Sequence, residues 1–431
     1  MHLFVSSLTV FYHFLIVFNL SFNSLQLIAP LLKALSEAGY TLPTPVQEKS
    51  IPVILQKKDV LACAQTGTGK TASFALPLLQ LLHQQEPEGF NSSCRALILV
   101  PTRELALQVA DSFTVYGKYL SLKHLAIFGG VSQFNQVKAL RQKVDVLIAT
   151  PGRLLDLLHQ RHLSLQQIKF LVLDEADRML DMGFINDVKK ILSKLPLQRQ
   201  TILFSATMPP EIQQLADTLL KQPVKIAITP PATTVDRIQQ SLYYTEKQHK
   251  PSLLLHLLKD EDIKTALVFA RTKHGADKIA KNLTRAGIKA AAIHGNKSQS
   301  ARQSSLLNFK TGTIRVLVAT DIAARGIDID QMGHVINYEL PNIPETYVHR
   351  IGRTGRAGAD GMAISFCDYE EKLYLRDIQK LIRKTIPVVK DHPFDVPLMH
   401  GNEQLPAQPA AWGSRQNGFK KRKGKVFLQT V

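Results

Sequence analysis

Short apolar runs separated by amphipathic stretches constrain this chain more than any other feature. Runs at 59–63 (DVLAC), 95–100 (RALILV), 123–127, 144–149 (VDVLIA), 169–173, 200–204 (QTILF) and 224–228 are too short for helices and rich in branched aliphatic residues. Helical patterns such as Thr102 to Tyr116 and Pro210 to Leu220 lie between them. Near-continuous apolar strands alternating with helices predict a parallel sheet covered on both faces. The pattern breaks at "TPPATTVD", whose prolines and threonines read as a linker, and resumes at 264–270 (KTALVFA), 288–293, 314–319 (IRVLVA), 333–338 and 361–366. At 431 residues the chain is too long for one ordinary core. The expected layout is two tandem α/β domains, 21–229 and 239–390, joined by a short hinge at 230–238.

The two ends stand outside that rhythm. Within residues 1–20 the run "LFVSSLTVFYHFLIVF" (3–18) is apolar and nearly uncharged, and shorter than the roughly 20-residue apolar run a spanning helix needs. These residues have no Lys or Arg ahead of the apolar run and no small-residue cleavage site, which argues against a signal peptide. We read them as an extension produced by a start site placed too early, with translation beginning near Leu20. A membrane-proximal segment is the weaker alternative. From 391 to 431 the periodicity is lost, and this Pro- and Gly-rich stretch is expected to be a disordered basic tail.

Charge narrows the partner. Lys and Arg number 53 against 35 Asp and Glu, a net +18, which favours a polyanion, nucleic acid before an anionic membrane. The tail contributes only +3, so the folded body is itself basic. Within the tail, Trp412, Arg415, Phe419 and Lys420 to Lys423 interleave aromatic and basic groups, a pattern suited to loose RNA contact or simply to solvation. Cys63, Cys94 and Cys367 are scattered, with no C-x-x-C pair, so neither a disulfide scaffold nor a zinc site is expected. This fits a reducing, cytoplasmic setting.

Chemistry enters with "AQTGTGKT" at 64–71, which follows one predicted strand and opens a predicted helix. A glycine-rich turn there lets backbone N–H groups converge on phosphate oxygens, aided by the helix N-terminus. Thr66, Gly67, Thr68 and Gly69 would form the cradle, Lys70 would reach the outer phosphates and Thr71 would hold Mg²⁺. The general pattern has glycine where this chain has Ala64. A second stretch, "KFLVLDEADRML" (169–180), ends a buried strand in Asp174, Glu175 and Asp177. Three carboxylates at the carboxyl edge of a parallel sheet suit a ligand site: Asp174 for Mg²⁺ and Glu175 for the attacking water. Carboxylates also favour helix N-caps, but the upstream phosphate loop makes the catalytic reading the stronger.

With "DEAD" at 174–177 and the phosphate loop in place, the sequence resembles the DEAD-box ATP-dependent RNA helicases. Further stretches match in order: "GYTLPTPVQ" (39–47), "PTRELALQ" (101–108), Gly129-Gly130, "TPGRL" (150–154), "SAT" (205–207), "LVFARTK" (267–273), "ATDIAARGID" (319–328) and "YVHRIGRTGR" (347–356). The "HGNKSQ" stretch (294–299) is most similar to the bacterial RhlE-type branch.

The resemblance implies two RecA-like domains and an RNA-stimulated ATPase that separates short RNA duplexes locally or remodels RNA–protein complexes. It implies ATP and Mg²⁺ as the ligands. An ATP-timed RNA clamp and a DNA helicase on the same core are the rival readings. Gln47 would read adenine, and Phe22 would stack on the base or serve as core. Asp328 would engage the ribose. Arg353 and Arg356 would be arginine fingers, with His349 nearby. Asp177, Ser205, Thr207 and His349 would couple the acidic cluster to the RNA side, unless the hydroxyls merely satisfy a strand end. Arg103, Gly130, Thr150, Arg153, Arg271 and Thr320 match positions near the RNA backbone, where contacts position the chain without reading sequence. Ribosome assembly and RNA decay stay open as settings.

Overall fold

A computed structural model describes residues 21–64, 67–85, 94–228, 238–324, 332–354 and 361–396. The alternation resolves into two wholly parallel sheets. The first contains β1 (Val60–Cys63), β2 (Ala96–Leu99), β3 (His124–Ile127), β4 (Val146–Ala149), β5 (Phe170–Leu173), β6 (Gln200–Ser205) and β7 (Val224–Ala227) in the order β3-β4-β2-β5-β6-β1-β7. The second contains β8 (Ile238–Tyr244), β9 (Ala266–Phe269), β10 (Ala290–Ile293), β11 (Val316–Ala319), β12 (His334–Asn337) and β13 (Gly361–Cys367) in the order β10-β11-β9-β12-β13-β8.

Side-chain alternation along the strands builds a core on each face. Ile98 and Val172 join the cluster with Phe74 and Phe204, whereas Leu97, Leu99, Leu171 and Leu173 join a separate cluster with Leu154 and Ile191. The second sheet divides in the same way, Val268 on one face and Leu267 with Phe269 on the other. Both faces are therefore dry, which is why the strands read as continuous apolar runs.

Register positions the chemistry. β1 lies beside β6, with Cys63 opposite Ser205, and β6 lies beside β5, with Leu203 opposite Leu173. The loops that leave the carboxyl ends of β1, β5 and β6 are therefore neighbours, although more than 100 residues separate the first from the second.

Two expectations need correction. The strand β8 went unrecognised, and Ile238, assigned to the hinge, is its first residue. Its Gln239-Gln240-Ser241 stretch hides the apolar pattern because β8 is the last strand of its sheet, paired along its length only with β13. The rest of the hinge, 229–237, lies outside the described residues. The tail also begins later than expected. The ring of His392 lies 5.2 Å from that of Tyr243, and Phe394 packs between His249 and His256 at 6.0 and 6.3 Å. Residues 391–396 thus close over the second domain, while 397–431 and the extension 1–20 lie outside the described residues. Among the described residues no helix is long and apolar enough to cross a membrane.

Candidate functional site

The turn after β1 is shaped for close approach. Gly67 and Gly69 have φ of +80° and +89°, backbone conformations that side chains rarely allow. A Cβ on Gly69 would fall 2.4 Å from Gln47 Nε2. The helix Lys70–Gln84 starts immediately afterwards, so its free N–H groups face the turn. Gln47 braces this turn: its Nε2 donates to Gly69 O at 3.1 Å and its Oε1 accepts from Thr44 N at 2.9 Å. Each amide end keeps capacity for one more hydrogen bond. Thr68 and Thr71 sit on the turn and first helical turn, whereas Thr66 lies outside the described residues.

Lys70, beyond β1, and Asp174, at the end of β5, meet although β6 lies between their strands. Lys70 Nζ stands 3.8 Å from Asp174 Oδ1, with the residues only 5% and 2% exposed. Neither atom has a hydrogen-bond partner. A buried ammonium and a buried carboxylate oxygen with unused capacity are costly unless a ligand completes them. Burial pushes the Asp174 carboxyl up to about 6, with Lys70 opposing the rise. These orphaned atoms, beside a glycine cradle, fit a nucleotide phosphate and a divalent cation.

Glu175 adopts the left-handed conformation, φ +56°, rare for a residue with a side chain. It caps the short helix Ala176–Asp181. Burial alone would raise its pKa, but Arg178, Lys70 and Arg353 outweigh that and hold the carboxyl below its usual value. Arg178 Nη1 lies 2.5 Å from Glu175 Oε2. Asp177 faces the other way: its Oδ2 accepts from Ala206 N, Thr207 N and Thr207 Oγ1 at 3.2, 2.9 and 2.9 Å. Ser205 Oγ accepts from Asp177 N at 3.2 Å and donates to Thr207 O at 2.7 Å. Three of the four expected coupling residues, Asp177, Ser205 and Thr207, therefore form one hydrogen-bonded unit tying the end of β5 to the loop after β6, while His349 lies apart in the second domain.

From the second domain, Arg353 follows the helix Pro344–Ile351 and is buried against the cleft. Its charge acts on Glu175, and it lines a small cavity with His349, Arg350, Asp321 and, from the first domain, Arg178. Arg350, given no separate role from sequence, is locked in place. It donates to both Asp321 oxygens at 2.6 and 2.8 Å, to Asn337 Oδ1 at 3.2 Å and to Glu339 O at 2.6 Å. Arg356 and Asp328 lie outside the described residues.

Phe22 is 4% exposed and belongs to the core cluster with Leu25, Leu31 and Ile51. The short helix that carries it packs on the helix Pro45–Leu55, which bears Gln47.

The expected RNA residues of the first domain gather at the carboxyl edge of β3 and β4. The Arg103 guanidinium lies directly over Gly130, at φ +75°, where any Cβ would collide with it. Thr150 N donates to Ile127 O at 3.1 Å, and Arg153 Nη2 donates to Val131 O at 2.9 Å. In the second domain Thr320 follows β11, and Arg271 follows β9 by two residues. Arg271 is backed by Glu339 and Glu371 at 3.9 and 3.5 Å, and Glu371 in turn accepts from Lys250 at 2.6 Å, deep in the core.

One functional pair escaped sequence reading. Glu104, beside Arg103, accepts from Gln299 Nε2 at 3.1 Å and pairs with Arg302 at 3.0 Å, both on the second domain's helix Gln299–Lys310. Glu104 and Gln299 lie in the quoted stretches "PTRELALQ" and "HGNKSQ", but nothing in a single sequence pairs residues 195 positions apart.

A phosphate cradle on one parallel sheet, faced by an arginine from a second, defines a two-domain P-loop nucleotide hydrolase. The DEAD/DEAH box helicase family model matches residues 44–215, and the helicase conserved C-terminal domain model matches 249–358. The DEAD-box ATP-dependent RNA helicase RhpA of Helicobacter pylori is 44% identical over 383 residues, 89% of this chain and 76% of that protein. The chain belongs to the DEAD-box ATP-dependent RNA helicases. Saccharomyces cerevisiae Dbp5 bound to RNA and ADP BeF3 overlays with a TM-score of 0.75 at 33% identity, covering 86% of this chain and 95% of that one. A Dbp5 variant bound to Nup159, Gle1, IP6 and ADP overlays at 0.59 and 31% identity, covering 85% and 96%.

Proposed function

We propose that this chain couples ATP binding and hydrolysis to local, non-processive opening of short RNA duplexes or remodelling of RNA–protein complexes. The observation that carries the reading is the closed cleft: Arg353 acts on Glu175 while Glu104 grips Arg302 across the same divide. The overlay with Dbp5 in its RNA and ADP BeF3 complex is consistent with this arrangement.

The roles follow from placement. The amides of the turn at Gly67–Lys70 hold phosphate, and Lys70 neutralises its outer oxygens. Gln47 reads adenine with its spare donor and acceptor. Thr71 and Asp174 hold Mg²⁺, which when bound offsets phosphate charge. Glu175, kept ionised by Arg178 and Arg353, orients the attacking water and accepts its proton. Arg353, with Arg356, supplies positive charge to the phosphate as the cleft closes; such fingers are worth about 10³–10⁵ in rate. Asp328 takes the ribose. RNA backbone lies along Arg103, Gly130, Thr150 and Arg153 and crosses to Arg271 and Thr320. Asp177, Ser205 and Thr207 link that surface to the acidic strand end, with His349 at the shared cavity. ATP and RNA therefore each favour the closed state and bind cooperatively.

The RhlE-type branch and a cytoplasmic setting belong to the same proposal. The test is steady-state ATP hydrolysis alone, with RNA, and with DNA of equal length, using Glu175→Gln as background. Stimulation by RNA only, lost in the variant, supports the reading; equal stimulation by DNA, or none, overturns it.

A further inference from the structure

Among the described residues no Phe or Tyr ring is more exposed than Phe134, at 71%. It begins the helix Phe134–Leu140, just after the Gly129-Gly130 turn, with the partly exposed Val131 in the same loop. An apolar ring in water is usually a loose surface residue, but this loop is not loose. Arg153 clamps it twice, Nη2 to Val131 O at 2.9 Å and Nη1 to Gln136 Oε1 at 3.1 Å. Gln136 Nε2 donates to Phe128 O at 3.0 Å, and Gln133 exchanges hydrogen bonds with Gln160 at 2.8 and 3.2 Å. At its other end Gly130 lies against the Arg103 guanidinium. Of the arginines assigned to the RNA backbone, Arg153 thus holds the loop presenting Phe134 and Arg103 lies against its Gly130 end.

We propose that Phe134 is a base-stacking subsite for single-stranded RNA at the rim of the phosphate-binding surface. The inference rests on the reading of Arg103, Gly130 and Arg153 as that surface. Its chemistry complements theirs. Guanidinium groups take phosphates, whereas a flat ring takes the face of a base, and stacking tolerates any base because each has a π-face. The subsite therefore adds affinity without adding sequence preference. It also favours an unpaired strand, since a base inside a duplex has both faces covered.

The test uses the full chain with ADP BeF3 and a labelled uridine oligomer, plus a series carrying one abasic nucleotide at each successive position. Wild type should lose affinity at one position of the series. Phe134→Ala should bind the intact oligomer ~5- to 150-fold more weakly and lose that positional dip, with Phe134→Trp restoring both. An unchanged melting temperature in Phe134→Ala would separate this from misfolding. Wild-type affinity and an unchanged series in Phe134→Ala would overturn the subsite, and would be the result if the ring meets a protein instead. Arg103→Ala keeps the two readings apart. If it weakens binding while Phe134→Ala does not, only the stacking subsite fails. If neither variant weakens binding, the RNA surface itself is wrongly placed.

Discussion

Glu104 and Arg302 join the two domains through an ion pair of 3.0 Å, both side chains almost fully withdrawn from water. Gln299 adds a second bond to the same carboxylate oxygen. Removing one member of a buried pair leaves the other charge uncompensated, at a cost of about 3–5 kcal/mol. That cost falls only on the closed state, because an open cleft hydrates both groups. Glu104→Gln should therefore weaken RNA binding in the presence of ADP BeF3 by at least ~10-fold, with nucleotide-free RNA binding little changed. A fluorescence-anisotropy titration with and without nucleotide reads the difference. Equal losses in both conditions would mean that Glu104 serves the first domain alone.

Gly69 is the sharpest steric prediction. Its φ of +89° and the Gln47 amide 2.4 Å from a built Cβ leave no room for a methyl group. Gly69→Ala should displace Gln47 and distort the phosphate turn, raising the KM for ATP or abolishing hydrolysis. Retained nucleotide affinity in a direct binding assay would show that the turn relaxes at little cost.

Arg350 should matter for stability before it matters for catalysis. Asp321, Asn337 and the Glu339 carbonyl all lose a partner in Arg350→Met, and the Asp321 carboxylate is left without its bidentate cation. The expected loss is about 3–5 kcal/mol, read from denaturant unfolding of the second domain. A variant with wild-type stability but no RNA-stimulated hydrolysis would move Arg350 into the catalytic set.

Two partly buried histidines should make the fold sensitive to acid. Burial lowers the pKa of His124, at the start of β3, and of His334, at the start of β12, below the ordinary 6.5. Their neutral forms are favoured in the folded state, so the unfolded chain binds more protons as pH falls through that range. The histidine contribution is then fully present above about pH 6.5 and declines below it, opposed near pH 6 and below by Asp174, whose raised pKa makes the folded state bind the extra proton. Melting temperatures between pH 8 and 5.5 should show the decline, and the double variant His124→Gln, His334→Gln should flatten it. An equally steep decline in that variant would place the titration elsewhere.

The tail provides a test of electrostatics. Because residues 391–396 pack on Tyr243, His249 and His256, the cut belongs after Val396. Removing 397–431 deletes six Lys and Arg against one Glu. RNA affinity should fall and its dependence on salt should become shallower, since fewer counterions are released on binding. An unchanged slope would show that the tail stays off the RNA.

Composition and period carried much of this molecule into view. Strands buried on both faces must be apolar throughout, so their number and order along the chain are visible as runs. The turn Gly67–Gly69 and the strand end Asp174–Asp177 are visible because phosphate and metal chemistry admits few residue types at fixed short spacings. β8 was hidden because an edge strand keeps only part of its surface dry, and Gln239-Gln240-Ser241 satisfies that condition without looking like a strand.

What the tertiary structure alone decided is which distant residues share a space. Phe22 shares a core cluster with Leu31 and Ile51. The Lys250–Glu371–Arg271 relay and the Glu104–Arg302 bridge join residues far apart in sequence, through groups whose ionisation and reach depend on what surrounds them. Local sequence determines backbone preference and the chemistry on offer. Long-range burial determines which of those charges lose water, and hence which must find each other.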